Sequence, residues 1–125
     1  KLMAGVPFFT RLWFETPKTE DELAEEAGTE AASYPNKVTS YAYGMDEAAE
    51  IVSAAGVQTE WDATAKQNYA QWEADGGVYK IWLEDEQSLE EKLKVIKANN
   101  LAGVAEWSLG MEDSGVWDLI LQYVN

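Results

Sequence analysis

The sequence contains no cysteine and no histidine. Without thiols it forms no disulfide and offers no thiolate nucleophile, and without imidazole it lacks the usual ligands of zinc and copper. Acid and base chemistry within it falls to carboxylates. Basic charge is also scarce: nine Lys and Arg stand among 23 Asp and Glu, giving a net charge of −14. Nucleic-acid binding needs clustered Lys and Arg to displace phosphate counterions, and no basic stripe occurs. Anionic lipid headgroups are disfavoured on the same ground. No run of 18 apolar residues is present, and no charged segment leads into an apolar stretch and cleavage site. The sequence therefore predicts neither membrane insertion nor a signal peptide within these residues.

What is present is apolar and aromatic. With 46% hydrophobic residues and six Trp, the chain is too rich in core-forming side chains to be disordered. At 125 residues it is long enough for one domain burying roughly two thirds of its unfolded surface.

Periodicity supplies the order of elements. "KLMAGVPFF", residues 1–9, is nearly continuous in apolar residues and predicts a strand covered on both faces. In "TEDELAEEAG", Thr19 or Asp21 caps a short acidic helix that Gly28 ends. "KVTSYAYG", residues 37–44, is β-branched and aromatic and predicts a strand. "MDEAAEIVSAAG" repeats Ala48, Ile51, Val52 and Ala55 on one helical face and stops at Gly56. "VQTEWDA", "QNYAQWEAD" and "VYKIWLED" then predict an antiparallel meander, its second connection a Asp-Gly-Gly hairpin signal. Ser88 opens a helix with Leu89, Leu93 and Ile96 on one face; "LAGVAEW", residues 101–107, is a second buried strand; and "SGVWDLILQYV" is a final helix capped by Asp113 or Ser114. Two apolar strands with helical crossovers imply a parallel α/β sheet. A parallel pair alone lacks edge neighbours, so the pattern predicts part of a larger barrel or doubly wound sheet, and self-association of the isolated piece.

Certain residues carry a resemblance. "GVPFFTR" resembles the seventh strand of glycoside hydrolase family 18, where a Gly-x-Pro-aromatic-Tyr-x-Arg pattern is typical. "WLEDEQSLEEKLKVIKANNLAGVAEW" is similar to that family's run of aspartates, Ser, Lys, helix, Leu-x-Gly-Val and Trp leading into strand eight. "YKIWLED" and "LAGVAEWSLGMED" resemble the chitinase-like bacterial branch of spore-germination and cell-wall lysins. The resemblance implies an α/β fold: a C-terminal fragment of a (β/α)8 TIM barrel with an inserted α+β subdomain. Residues 1–16 would be barrel strand 7 and its following loop, 17–86 the subdomain with its meander, and 87–125 helix 7, strand 8 and helix 8.

The same resemblance implies a glycosidase acting on N-acetylglucosamine polysaccharide such as peptidoglycan or chitin, outside the cell or in its envelope, with no metal and no organic cofactor. Its general acid belongs to an Asp-x-x-Asp-x-Asp-x-Glu motif at the end of strand four, and the substrate's N-acetyl group serves as nucleophile. No such run occurs in these residues, so the acid is expected upstream and no catalytic residue is assigned here. A non-catalytic module binding glycans or another protein is the alternative, and an assembly surface a third.

Five residues are substrate-binding candidates. Trp107 stands where the family has a Trp beneath the sugar at the scissile bond, and an aromatic face suits the C–H face of a pyranose; its competing role is core packing. Phe9 stands where Tyr is usual and lacks the hydroxyl. Arg11 would bond sugar hydroxyls, or pair with Glu15 or Glu106. Trp13 would wall the groove, or fasten the loop to the subdomain. Glu84, with Asp85, takes the place of the family's paired aspartates at the groove rim, or ends a strand in solvent. Trp61, Trp72 and Trp82 are expected on the face of the meander packed against a helix.

Overall fold

A computed structural model describes residues 1–124. The chain runs β1 (Ala4–Pro7), β2 (Phe9–Pro17), α1 (Glu20–Glu25), a 3-10 turn (Glu30–Ser33), β3 (Asn36–Gly44), α2 (Met45–Ala55), β4 (Glu60–Asp62), β5 (Gln67–Ala74), β6 (Gly77–Leu83), α3 (Glu86–Ala98), β7 (Val104–Trp107) and α4 (Val116–Val124). Among the described residues no helix is long and apolar enough to cross a membrane.

The two apolar strands pair with each other. β1 and β7 are parallel, with Ala4 opposite Val104 and Pro7 opposite Trp107. Helices α3 and α4 cover them: Leu89, Leu93 and Ile96 of α3 join Val116 and Ile120 of α4 against Val6 and Phe8 in one buried cluster. The Leu89, Leu93, Ile96 spacing puts all three on one helical face, as predicted. The cap differs. Asp85, rather than Ser88, precedes the helix and accepts from the Ser88 amide, while the Ser88 hydroxyl sits at N3 and receives the Asp85 amide.

The second layer is a five-stranded antiparallel sheet in the order β3-β2-β6-β5-β4. It contains the predicted meander but is wider, because residues 9–17 are not a loop. They form a nine-residue strand that pairs with β3 over its whole length and with β6 from Leu12 to Glu15. Strand character within residues 1–9 is thus broken at Phe8, whose fully buried ring meets Trp117 edge-on at 5.5 Å. Phe8 anchors the crossing from the parallel pair into the antiparallel sheet.

α2 covers one face of that sheet. Its Ala48 and Val52 pack on Ala70, Ile81 and Leu83, with Leu12, Tyr43 and Trp72 at the margin. Trp72 therefore lies against the helix as expected. Trp82 does not: Ile81 and Leu83 face α2, so alternation turns Trp82 to the opposite face, where its ring meets Tyr69 at 4.6 Å with the planes tilted by 41° and its indole N–H donates to Asp62. The two layers share Met45, the first residue of α2, which is buried in the cluster of β1, α3 and α4.

Candidate functional site

The ends of β1 and β7 create the site. Both strands point their C-terminal ends the same way, and the chain leaves β1 through Phe8, whose amide donates to the Trp107 carbonyl at 2.7 Å. A depression of about 350 Å³ opens there, lined by Val6, Pro7, Phe9, Ala105, Glu106 and Trp107. Trp107 is 70% exposed and lies outside the cluster that α3 and α4 bury against β1. The Trp107–Ser108 peptide is cis. Phe9 shares the depression, so these two candidates meet although 98 residues separate them in sequence.

Arg11 and Trp13 follow Phe9 at two-residue intervals on β2, on the face opposite α2. Arg11 pairs with neither Glu15 nor Glu106. Its Nε donates to the Ser40 hydroxyl at 2.9 Å, and the guanidinium carbon lies 6.0 Å from the Trp13 ring centre. Ser40 and Trp13 thus hold the guanidinium in place while donors remain free on its outer edge. Glu15 is occupied elsewhere, by Lys80 at 2.8 Å and Asn36 at 2.9 Å, which hold its carboxyl below the usual range.

Glu84 belongs to a different place. It is 2% exposed and lies beneath α3 rather than at a rim. One carboxylate oxygen takes a 2.5 Å bond from Lys92 and a 3.1 Å bond from Gln67; the other has no partner. Burial pushes this carboxyl up, with Lys92 acting against it. Glu86, at the start of α3, is also pushed up by burial and by the facing Asp113. Neither lines the Trp107 depression. Among the described residues no three acidic side chains converge as metal ligands would.

Sequence reasoning did not single out Glu106 for the depression or Trp82 for the open face. The signal for Trp82 was available in its parity with Ile81 and Leu83.

An exposed Trp at the carboxyl end of a parallel strand, sharing a depression with the Phe9 that opens β2, fits a carbohydrate-active α/β protein. The family model for glycosyl hydrolases family 18 matches residues 1–112, and the chain belongs to that family. Among curated proteins it is 27% identical over 85 residues to the cortical fragment-lytic enzyme of Bacillus subtilis, covering 67% of this chain and 20% of the relative. The chain therefore spans about a fifth of that relative's length. Its fold is shared with the spore cortex-lytic enzyme SleL of Bacillus cereus (TM-score 0.72, 18% identity, 98% of this chain and 25% of that one). It is shared too with a chitinase of Chromobacterium violaceum (TM-score 0.69, 20% identity, 98% and 32%).

Proposed function

We propose that these residues form the C-terminal part of a (β/α)8 glycosidase that hydrolyses N-acetylglucosamine-containing polysaccharide, peptidoglycan or chitin, at the cell envelope or outside the cell. The observation that carries the reading is the exposed Trp107 indole at the C-terminal end of a parallel strand, because that end of a barrel holds active sites. Trp107 is the floor under the sugar next to the scissile bond, Phe9 flanks it, and Arg11 with Trp13 begins one wall. Glu84 is withdrawn from the binding set by its burial.

Catalysis on this reading is retaining and substrate-assisted. A general acid from residues preceding Lys1 protonates the glycosidic oxygen as the substrate's N-acetyl oxygen attacks the anomeric carbon and the bond to the leaving sugar breaks; water, deprotonated by the same carboxylate, then opens the oxazolinium ion. The residues of this chain hold the sugar. A flat indole beneath the ring favours the distorted sugar of the transition state over the relaxed one, so the contact acts on kcat as well as on KM.

The test is Trp107→Ala in the intact protein, assayed on chromogenic N-acetylglucosamine oligomers and on solubilised peptidoglycan. Turnover is expected to fall severely, by about 100-fold or more, as when a contact realised in the transition state is lost. The loss of stability should be about 1 kcal/mol, well below the ~3–5 kcal/mol of a buried aromatic such as Phe8→Ala. Full specific activity per folded molecule ends the sugar-floor role.

A further inference from the structure

The antiparallel sheet has two edges of unequal character. One is β4, only three residues from Glu60 to Asp62, with an acid at each end. A short, charged edge resists pairing with another chain. The other is β3, nine residues from Asn36 to Gly44, paired with β2 on one side and with no strand on the other among the described residues. It contains no Pro and one charge, Lys37. Its register with β2 runs unbroken from Gly44 opposite Phe9 to Asn36 opposite Pro17, so no bulge turns the edge away.

The chemistry along this edge is complementary to itself. A chain of net charge −14 repels its own copies through most of its surface, yet residues 31–45 contain neither Asp nor Glu. Alternation puts Lys37, Thr39, Tyr41 and Tyr43 on one face of β3, the face on which Tyr43 meets the α2 cluster. Tyr41 is 71% exposed there. Next to Tyr43, one side of α2 presents Glu47, Glu50, Ile51 and Ala54 at i, i+3, i+4 and i+7, and together they line an open depression of about 340 Å³. Neither Glu47 nor Glu50 forms an ion pair among the described residues.

We propose that β3 pairs edge to edge with β3 of a second copy of this chain, antiparallel about a two-fold axis through Ser40, so that two five-stranded sheets become one continuous sheet. The register that uses the whole strand sets Asn36 opposite Gly44, Lys37 opposite Tyr43 and Thr39 opposite Tyr41. Facing residues of an antiparallel pair lie on the same side of the sheet. Lys37 of the second copy therefore comes over the depression that holds Glu47 and Glu50, and symmetry makes this contact twice. Lys37 now meets Glu22 at 2.5 Å in an exposed pair, which exchanges for a new one at little cost. The interface is isologous and closes at two copies. Nothing in it depends on which ligand Trp107 holds.

Sedimentation of the intact protein over a concentration series tests the pairing, because on the barrel reading that protein has no open edge at β1 or β7. A dimer is expected. Lys37→Glu should raise its dissociation constant about tenfold or more, since symmetry doubles the loss of each pair, and Glu47→Lys/Glu50→Lys should do the same. The three substitutions combined should return the constant to the parent's. All three positions are exposed, so each variant is expected to keep the parent's far-UV circular dichroism. Ser40→Cys gives a measure free of charge effects: facing positions have Cβ atoms about 4.5–5.5 Å apart, so a short bis-maleimide should link the two thiols into a covalent dimer that the parent does not form. A monomeric parent overturns the proposal, whether its β3 amides exchange freely or are covered by a segment preceding Lys1 or by another protein. A dimer that neither charge reversal weakens, or that Ser40→Cys does not link, uses another surface and overturns it equally.

Discussion

Lys92→Met tests how the buried carboxylate beside α3 is tolerated. In the parent, the Glu84 side chain is 1% exposed and its partner Lys92 is 37% exposed, with 2.5 Å between their charged atoms. Met keeps most of the Lys92 stem and removes the charge, leaving Glu84 with Gln67 as its remaining donor at 3.1 Å. Breaking a buried pair from one side costs about 3–5 kcal/mol; partial exposure of Lys92 screens the pair and places this loss at about 3 kcal/mol near neutral pH. The pH dependence has a definite sign. Burial raises the Glu84 carboxyl above its ordinary value, so the folded state binds that proton more tightly than the unfolded chain does. Stability is therefore greatest below the ordinary carboxylate range and is lost as pH rises through the raised value. Without Lys92 the carboxyl rises further, so the deficit of Lys92→Met should be small at about pH 4, near the ordinary Glu value of ~4.3, and open steadily towards pH 8. Urea midpoints of the parent, Lys92→Met, Glu84→Gln and the double variant across that range measure it. Glu84→Gln keeps the shape without the charge and should rescue Lys92→Met at pH 8. A deficit equal at both ends of the range, or a double variant as unstable as Lys92→Met, refutes the uncompensated-charge account.

Other outcomes follow from single contacts. Asp85→Ala removes the side chain that accepts from the Ser88 amide and should cost about 1 kcal/mol in thermal unfolding; no change would place the cap elsewhere. Gly77→Ala brings a methyl group against the Glu15 carbonyl and should cost about 1–3 kcal/mol, with faster exchange of the β5–β6 hairpin amides; a neutral variant would contradict the close approach of β6 to β2. The 125-residue chain by itself should not hydrolyse N-acetylglucosamine oligomers, and turnover would overturn the upstream placement of the acid. Because β1 and β7 each have one strand neighbour among the described residues, light scattering of that chain should show a dimer or larger species, and a monomer would count against the barrel reading.

Local chemistry made much of the fold legible. The Thr19 to Glu22 reciprocal cap, the left-handed Gly56 that ends α2 and the Asp-Gly turn before β6 each occur where turn and cap preferences put them. β2 was missed because its two faces serve different neighbours. Leu12 packs at the margin of the α2 cluster while Arg11 and Trp13 lie on the open face, so apolar and aromatic residues occur at both parities and the two-residue period is hidden. Glu84 was misplaced for a different reason. An acid at the end of a strand reads as solvated, and only the return of α3, with Lys92 eight residues later, encloses it. The depression was legible through Trp107 and Phe9 alone. The close approach of Gly77 to β2 is a contact across more than sixty residues that no local pattern announces.

The joint between the layers explains how residues so far apart in sequence are brought together. The segment after Trp107 bends back, and the carbonyl of Met111 accepts the amide of Met45 at 2.7 Å, at the junction of β3 and α2. Gly44 makes this approach possible: a Cβ there would stand 3.1 Å from the Met111 carbonyl and 3.2 Å from its Cα. Met45 then enters the core shared with Val6, Phe8 and Leu89. Gly44 is also the β3 partner of Phe9, the residue that enters the depression. One short stretch, Gly44 and Met45, is thus tied to the segment beyond Trp107, to the beginning of β2 and to the core beneath β1. The Trp107 end of β7 and the start of β2 are held through the same backbone contacts. Their spacing is therefore fixed by the fold, and a ligand bridging them would not have to spend free energy on ordering it.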